Sequence, residues 1–211
     1  MTFELWLTFA AASTALLVIP GPTILLVLSY ALSQGRRVAV ASALGVAAGD
    51  LVAMSLSVIG LGALFLASAT AFTILKWVGA AYLVYLGLKM LRSTLGRQDA
   101  TLLRAQPKEQ TARRVFRDLL TVTALNPKSN TFFVAFVPQF ITPDHSFAPQ
   151  AAILVATFVS IAAVNALVFA LAANALNSQV KRPGFQTWLA RIGGVTLIGM
   201  GLFTATLRKT A

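Results

Sequence analysis

The sequence predicts an all-α integral membrane protein: six transmembrane helices forming two inverted three-helix repeats, with spans one and four broken at proline motifs. Three observations carry this. Of 211 residues, 57% are apolar and 11% charged, against about 45–50% and about 25% in soluble domains; the mean hydropathy is +0.79. The apolar residues gather in six runs, each long enough at about 1.5 Å per residue to cross a hydrocarbon core of about 30 Å. Each half of the chain opens with a run interrupted by proline, and polar or small residues recur at matching offsets beyond it. Six spans absorb most of the apolar sequence, so residues 1–211 are expected to form a single membrane domain.

The runs are Phe3–Ser33, Val38–Leu66, Phe72–Leu91, Leu119–Ile141, Gln150–Ala175 and Phe185–Leu207. The first imitates a secretion signal, but Met1-Thr2-Phe3-Glu4 has no basic region and apolar sequence resumes at Leu16. It is therefore expected to stay as a span rather than be cleaved. Repeat one covers about residues 1–92, a basic linker about 93–117, and repeat two about 118–211. The short connections Thr142-Pro143-Asp144-His145 and Lys181-Arg182-Pro183-Gly184 carry turn chemistry.

The chain holds 17 Lys+Arg against 6 Asp+Glu, a net charge of +11. A soluble protein with that excess would point to nucleic acid; here the positions of the charges explain it. Arg36 and Arg37 fall in the first connection, and Lys181 and Arg182 in the fifth. The third holds Lys89, Arg92, Arg97, Arg104, Lys108, Arg113, Arg114 and Arg117. With six spans these connections share one side, which the positive-inside rule makes cytoplasmic. Arg208 and Lys209 lie at the opposite side, and both termini are expected outside. Lys76 and Arg191 lie near span ends, from which their heads reach an interface.

The halves correspond at several places. Gly79-Ala80 and Gly87-Leu88 match Gly193-Gly194 and Gly201-Leu202, and Asp50 matches Asn165. Pro20-Gly21-Pro22 and Asn126-Pro127-Lys128 interrupt the first span of each half. Three spans per half invert the second half relative to the first, and broken helices in corresponding positions point to a secondary transporter.

The breaks supply the candidate binding residues Pro20, Gly21, Pro22, Thr23, Asn126, Pro127 and Lys128. Pro20 and Pro22 remove two backbone donors and force the helix to stop and restart, with Pro22 at the first position of the new piece. Interrupted backbone within a bilayer is tolerated only where protein or a wet cavity surrounds it. The fresh N-terminus offers free N–H groups and partial positive charge to a carboxylate. Asn126 and Pro127 repeat the arrangement as N-cap and first residue, and Lys128 adds a full charge. Counted from the cytoplasmic end of each span, Asn126 lies roughly 10 Å deep and Pro22 roughly 15 Å deep.

Asp50 is the acidic residue in the body of a span, about 18 Å deep. An acid there is functional by default. It suits a substrate ammonium, a proton, or both in turn; the alternative is a static ion pair with Lys128. Asn165 would add neutral hydrogen bonds to the same cavity. Phe132, Phe133, Phe136 and Phe140 recur at helical spacing, which means packing or lipid contact more often than a substrate box.

Other chemistries find no support. Cysteine is absent and His145 is the single histidine, which removes thiol relays and argues against a metal site. There is no Gly-Lys-Ser/Thr phosphate loop, no arginine ladder and no nucleophile–base constellation. The chain is expected to be neither an enzyme nor a cofactor carrier.

The motifs resemble the LysE/RhtB exporters of amino acids over nearly the whole chain. The resemblance rests on Pro20–Pro22, Gly45-Val46-Ala47-Ala48-Gly49-Asp50, and Gly79-Ala80-Ala81-Tyr82-Leu83 with Leu86-Gly87. It continues in Leu125-Asn126-Pro127-Lys128, Phe132-Phe133 and Pro138-Gln139-Phe140. It implies a six-span inner-membrane exporter driven by the proton gradient, whose partners are an amino acid, protons and the lipid bilayer. The expected cargo is a small amino acid, homoserine- or threonine-like or another zwitterionic or basic one, since members of the family export basic amino acids, homoserine, threonine, leucine or related metabolites. The competing expectation is a passive channel or a structural membrane protein, although a channel would carry a polar stripe along several helices. Oligomeric state is left open, a homo-oligomer included.

Overall fold

A computed structural model describes residues 1–67, 69–93, 110–142, 145–180 and 183–206. These residues are helical with short connections and contain no strand. Most of the expected basic linker, including Arg97, Arg104 and Lys108, lies outside the described residues, as do Pro143, Asp144, Lys181, Arg182, Arg208 and Lys209.

The first run forms two helices, α1 (Phe3–Val18) and α2 (Pro22–Gln34). The Thr2 hydroxyl caps α1 by accepting from the Leu5 N–H at 3.3 Å. Gly35 ends α2 at φ 70°, a left-handed conformation that glycine adopts without a Cβ clash. A 3₁₀ turn, Gly35–Val38, leads into α3 (Ala39–Ala67), followed by α4 (Ala69–Ser93).

The fourth run also divides, into α5 (Ala112–Ala124) and α6 (Pro127–Phe136). Helix α5 begins at Ala112, seven residues before the expected start at Leu119. The Thr111 hydroxyl accepts from the Arg114 N–H, satisfying an otherwise free donor of the first turn. The additional turns are amphipathic: Val115 is buried, whereas Arg113, Arg114 and Arg117 are exposed. A hydropathy reading stops at those arginines, but the helix does not. A 3₁₀ turn, Val137–Phe140, then α7 (Phe147–Val180) and α8 (Pro183–Thr206) complete the order.

Among the described residues, Pro22–Ala63 and Phe147–Ala173 are long and apolar enough to cross a membrane by themselves, while Phe3–Val18 is a shorter apolar helix. The break at Pro20–Pro22 leaves Phe3–Val18 too short to cross alone. The outer surface is apolar. Phe3, Leu44, Leu56, Ile59, Trp77, Val164, Val168, Trp188 and Val195 are all exposed, a surface suited to lipid rather than water.

Helices meet through small residues. A Cβ added at Gly45 would stand 2.6 Å from the Phe116 carbonyl oxygen, and one at Gly49 2.7 Å from that of Leu120. The backbones of α3 and α5 are therefore in close contact, which only glycine permits. Helices α4 and α8 cross in the same way. A Cβ at Gly87 would meet the Gly194 carbonyl at 2.6 Å, and one at Gly201 would meet the Ala80 carbonyl at 2.7 Å. In the interior, Phe9, Phe132, Phe133, Phe136, Phe140 and Phe158 are buried. Their rings pack in a continuous cluster, with Phe132 stacked on Phe136 at 4.8 Å and Phe133 edge-on to Phe158 at 4.8 Å. The helical phenylalanine spacing thus serves packing.

Candidate functional site

The two helix breaks face each other. Gly21 is the N-cap of α2 with Pro22 at its first turn, and Asn126 is the N-cap of α6 with Pro127 in the equivalent place. The Asn126 side-chain carbonyl accepts from the Lys128 N–H at 3.1 Å. The two caps are connected through Thr23, whose Oγ1 accepts from Asn126 Nδ2 at 3.1 Å and from the Thr123 hydroxyl at 3.4 Å.

Where α1 stops, its last carbonyls lose their intrahelical donors, and side chains from elsewhere take them up. Lys128 Nζ donates to the Ile19 carbonyl at 2.7 Å, and Asn165 Nδ2 donates to the Leu17 carbonyl at 3.0 Å. The Lys128 chain passes over Gly21, where an added Cβ would lie 3.5 Å from Lys128 Cδ. Thus the freed carbonyls at the end of α1 are taken up by Lys128 of the second break and by Asn165 of α7.

Between them is a cavity of about 20 Å³, room for about one water and too small for an amino acid. Gly21, Thr23, Asp50, Asn126, Lys128 and Asn165 line it, together with apolar walls from Leu16, Leu17, Ile24, Val46 and Ala162. Six of the nine residues singled out in the sequence therefore meet at one point. Pro20, Pro22 and Pro127 do not line it; they shape the backbone that does, with Pro22 and Pro127 themselves exposed.

Asp50 is 1% exposed, and its Oδ1 has no hydrogen-bond partner. Lys128 lines the same cavity without forming an ion pair with it; the ammonium is engaged by the Ile19 carbonyl. The static Asp50–Lys128 pair considered from sequence is thus not the arrangement observed. A buried carboxylate oxygen without a hydrogen-bond partner is costly, and charge of opposite sign across a small cavity can recognise a zwitterion at both ends. The site residues that sequence missed are Thr123 and Ser129, which also line the cavity, and the carbonyls of Leu17 and Ile19. Thr123 and Ser129 stand three residues either side of Asn126, in the two helical turns that flank the break. The carbonyls follow from asking where the last acceptors of a helix that stops before Pro20 go.

The chain resembles known proteins over its length. The family model of the LysE type translocator matches residues 14–208. The homoserine/homoserine lactone efflux protein of Salmonella typhimurium is 34% identical over 208 residues, covering 99% of each chain. Its namesake in Salmonella typhi is 33% identical with the same coverage. An uncharacterized membrane protein of Vibrio cholerae is 31% identical, covering 99% of this chain and all of its own. No solved structure matches.

Proposed function

This chain belongs to the LysE type translocator family, and on that premise we propose that it is a secondary-active exporter of a small zwitterionic amino acid. One observation carries the reading: Asp50, Lys128 and the two interrupted helices converge on a single buried cavity. In the loaded site the substrate carboxylate lies at the N-termini of α2 and α6, with Lys128 turning to it from the Ile19 carbonyl. The ammonium faces Asp50, whose Oδ1 has no other hydrogen-bond partner. Thr23, Thr123 and Asn126 are at hand for a hydroxyl on the side chain, which fits the efflux of homoserine named for the Salmonella relatives.

Six spans in two inverted repeats are part of the same proposal. The contacts of α4 with α8 support it, since exchanging Ala80 with Gly194 and Gly87 with Gly201 turns the Gly87–Gly194 contact into the Gly201–Ala80 contact. A two-fold axis between inverted halves has that property. The basic connections then face the cytoplasm of a bacterial inner membrane, and both termini face the periplasm. Inward proton movement drives the cycle: protonation of Asp50 from outside removes its hold on the ammonium and favours release.

The test uses inverted membrane vesicles and labelled homoserine, threonine, leucine and lysine. Uptake against a gradient that collapses with a protonophore is the expected result. Equilibration without accumulation, unaffected by the protonophore, would reduce the protein to a passive facilitator.

A further inference from the structure

The two ends of the cavity are closed by different means. Toward the end carrying the Arg36–Arg37 turn, the closure combines interhelical hydrogen bonds with buried aliphatic side chains, Val27, Leu28, Ala31, Val115 and Leu119. The Tyr30 hydroxyl donates to Asp118 Oδ2 at 2.5 Å, joining α2 to α5; Tyr30 is 4% exposed. Beyond it, the Gln34 side-chain carbonyl accepts from the Gln110 N–H at 3.1 Å. Toward the other end the closure is apolar and thick. Phe132 stands one turn beyond Lys128, Phe158 two turns before Asn165, and Phe9 about two turns before Leu17, all in the packed phenylalanine cluster. Opening that end means separating a core of aromatic rings, whereas opening the basic end means breaking hydrogen bonds and parting smaller aliphatic side chains.

Helix α2 is built to move at that end. It is 13 residues long, with a Pro-Gly-Pro break at the cavity and a left-handed Gly35 at the far end. Tyr30 lies eight residues from Pro22, about 12 Å along the helix, and Asp118 lies the same distance from Asn126. Helix α5, in contrast, is fixed to α3 by the close backbone contacts at Gly45 and Gly49. Ser42 occupies the α3 face of Val46 and Asp50 two turns toward the same end. It is fully buried, and its hydroxyl has no partner. Ser13, toward the other end, is equally buried and its hydroxyl is equally unpartnered, so the two serines are matched positions for reporters.

We propose that the Tyr30–Asp118 hydrogen bond is the latch of an inner gate, with α2 as the swinging element hinged at Gly21 and the phenylalanine cluster as the opposing outer plug. The proposal rests on the transporter reading for its purpose but not for its geometry. Lys128 connects the latch to the site, because its bond to Ile19 holds the hinge itself. A substrate carboxylate that draws Lys128 away frees the hinge while it occupies the cavity.

The absence of cysteine gives a clean reporter. Ser42→Cys is placed alone, and next to Tyr30→Phe or Asp118→Ala, and labelled with a membrane-impermeant maleimide in inverted and right-side-out vesicles. Ser13→Cys, at a fully buried α1 position toward the outer end, is the control. Tyr30→Phe keeps the ring and loses the hydroxyl, so labelling of the Ser42→Cys reporter from the basic side should rise about tenfold, the equivalent of one hydrogen bond to a charged group. Asp118→Ala should do the same, and the Ser13→Cys control should not change. Unchanged labelling at Ser42→Cys overturns the latch, and an equal rise at both reporters overturns it too, as general loosening. Labelling is independent of transport: a one-sided rise in a protein that moves no amino acid keeps the gate and discards the exporter reading.

Discussion

Lys128 and Ile19 are joined across the break in the first span, the ammonium of one half of the chain donating to a carbonyl of the other at 2.7 Å. That carbonyl is free because Pro20 and Pro22 interrupt the helix, so the lysine's acceptor is a product of the break. It is also a replaceable acceptor. A substrate carboxylate in the cavity offers the same ammonium a stronger, charged hydrogen bond.

Replacing both Pro20 and Pro22 with Ala tests this dependence. A continuous helix would return the Ile19 carbonyl to an intrahelical donor and remove the N-terminus of α2 from the cavity. The double variant is expected to insert at wild-type abundance and to lose export by at least about tenfold, the worth of one charge-assisted hydrogen bond. Export at the wild-type rate would make the break a mere kink.

Close packing makes a second expectation. Gly49→Ala drives a Cβ to within 2.7 Å of both the Leu120 carbonyl and Thr123 Cβ. It should cost about 1–3 kcal/mol, the usual penalty of overpacking, and displace Thr123 from the cavity. Gly60 has nothing within 4 Å of an added Cβ, so Gly60→Ala should be neutral or slightly stabilising. Thermal unfolding in detergent compares the two. Equal midpoints would contradict the tight α3–α5 contact.

The breaks, the buried acid and the glycines of the helix contacts were legible in the sequence because each violates a local rule: proline in a helix, charge in an apolar run, glycine where alanine would be the better helix former. The extra turns of α5 were not legible, since exposed arginines on an amphipathic helix read as linker by hydropathy alone. Nor was the choice of partner for Lys128. Sequence offered Asp50 by charge, whereas the geometry supplies Ile19, a backbone group that no side-chain pattern announces. The Tyr30–Asp118 bond spans 88 positions and joins residues with no periodic signature.

The proposed orientation rests on the basic connections and is checked by fusions. An alkaline phosphatase joined after Ala211 should be active, and one inserted between Thr101 and Gln110 inactive, because the enzyme matures only outside the cytoplasm, where disulfides form. The reverse pattern would overturn the positive-inside assignment and place the Tyr30–Asp118 latch at the outer face.

The roles of Asp50 and Lys128 are separated by three variants. If the two residues formed only a structural charge pair, removing one would leave the other buried and uncompensated, and removing both would relieve the cost. Asp50→Asn with Lys128→Gln would then insert and transport better than either single variant. The observed geometry argues otherwise, since Lys128 is spent on Ile19 and Asp50 Oδ1 has no partner. Asp50→Asn should therefore keep or raise thermal stability, by about 2–4 °C for each kcal/mol of buried-charge cost relieved, while losing proton-driven export. Lys128→Gln should weaken the hinge contact and lose export with a modest fall in stability. The double variant should be well inserted and inactive. Export, membrane abundance and unfolding midpoint measured side by side decide the matter: wild-type-like transport by the double variant would remove both residues from the site, and an Asp50→Asn protein that is inactive and strongly destabilised would make Asp50 a structural residue.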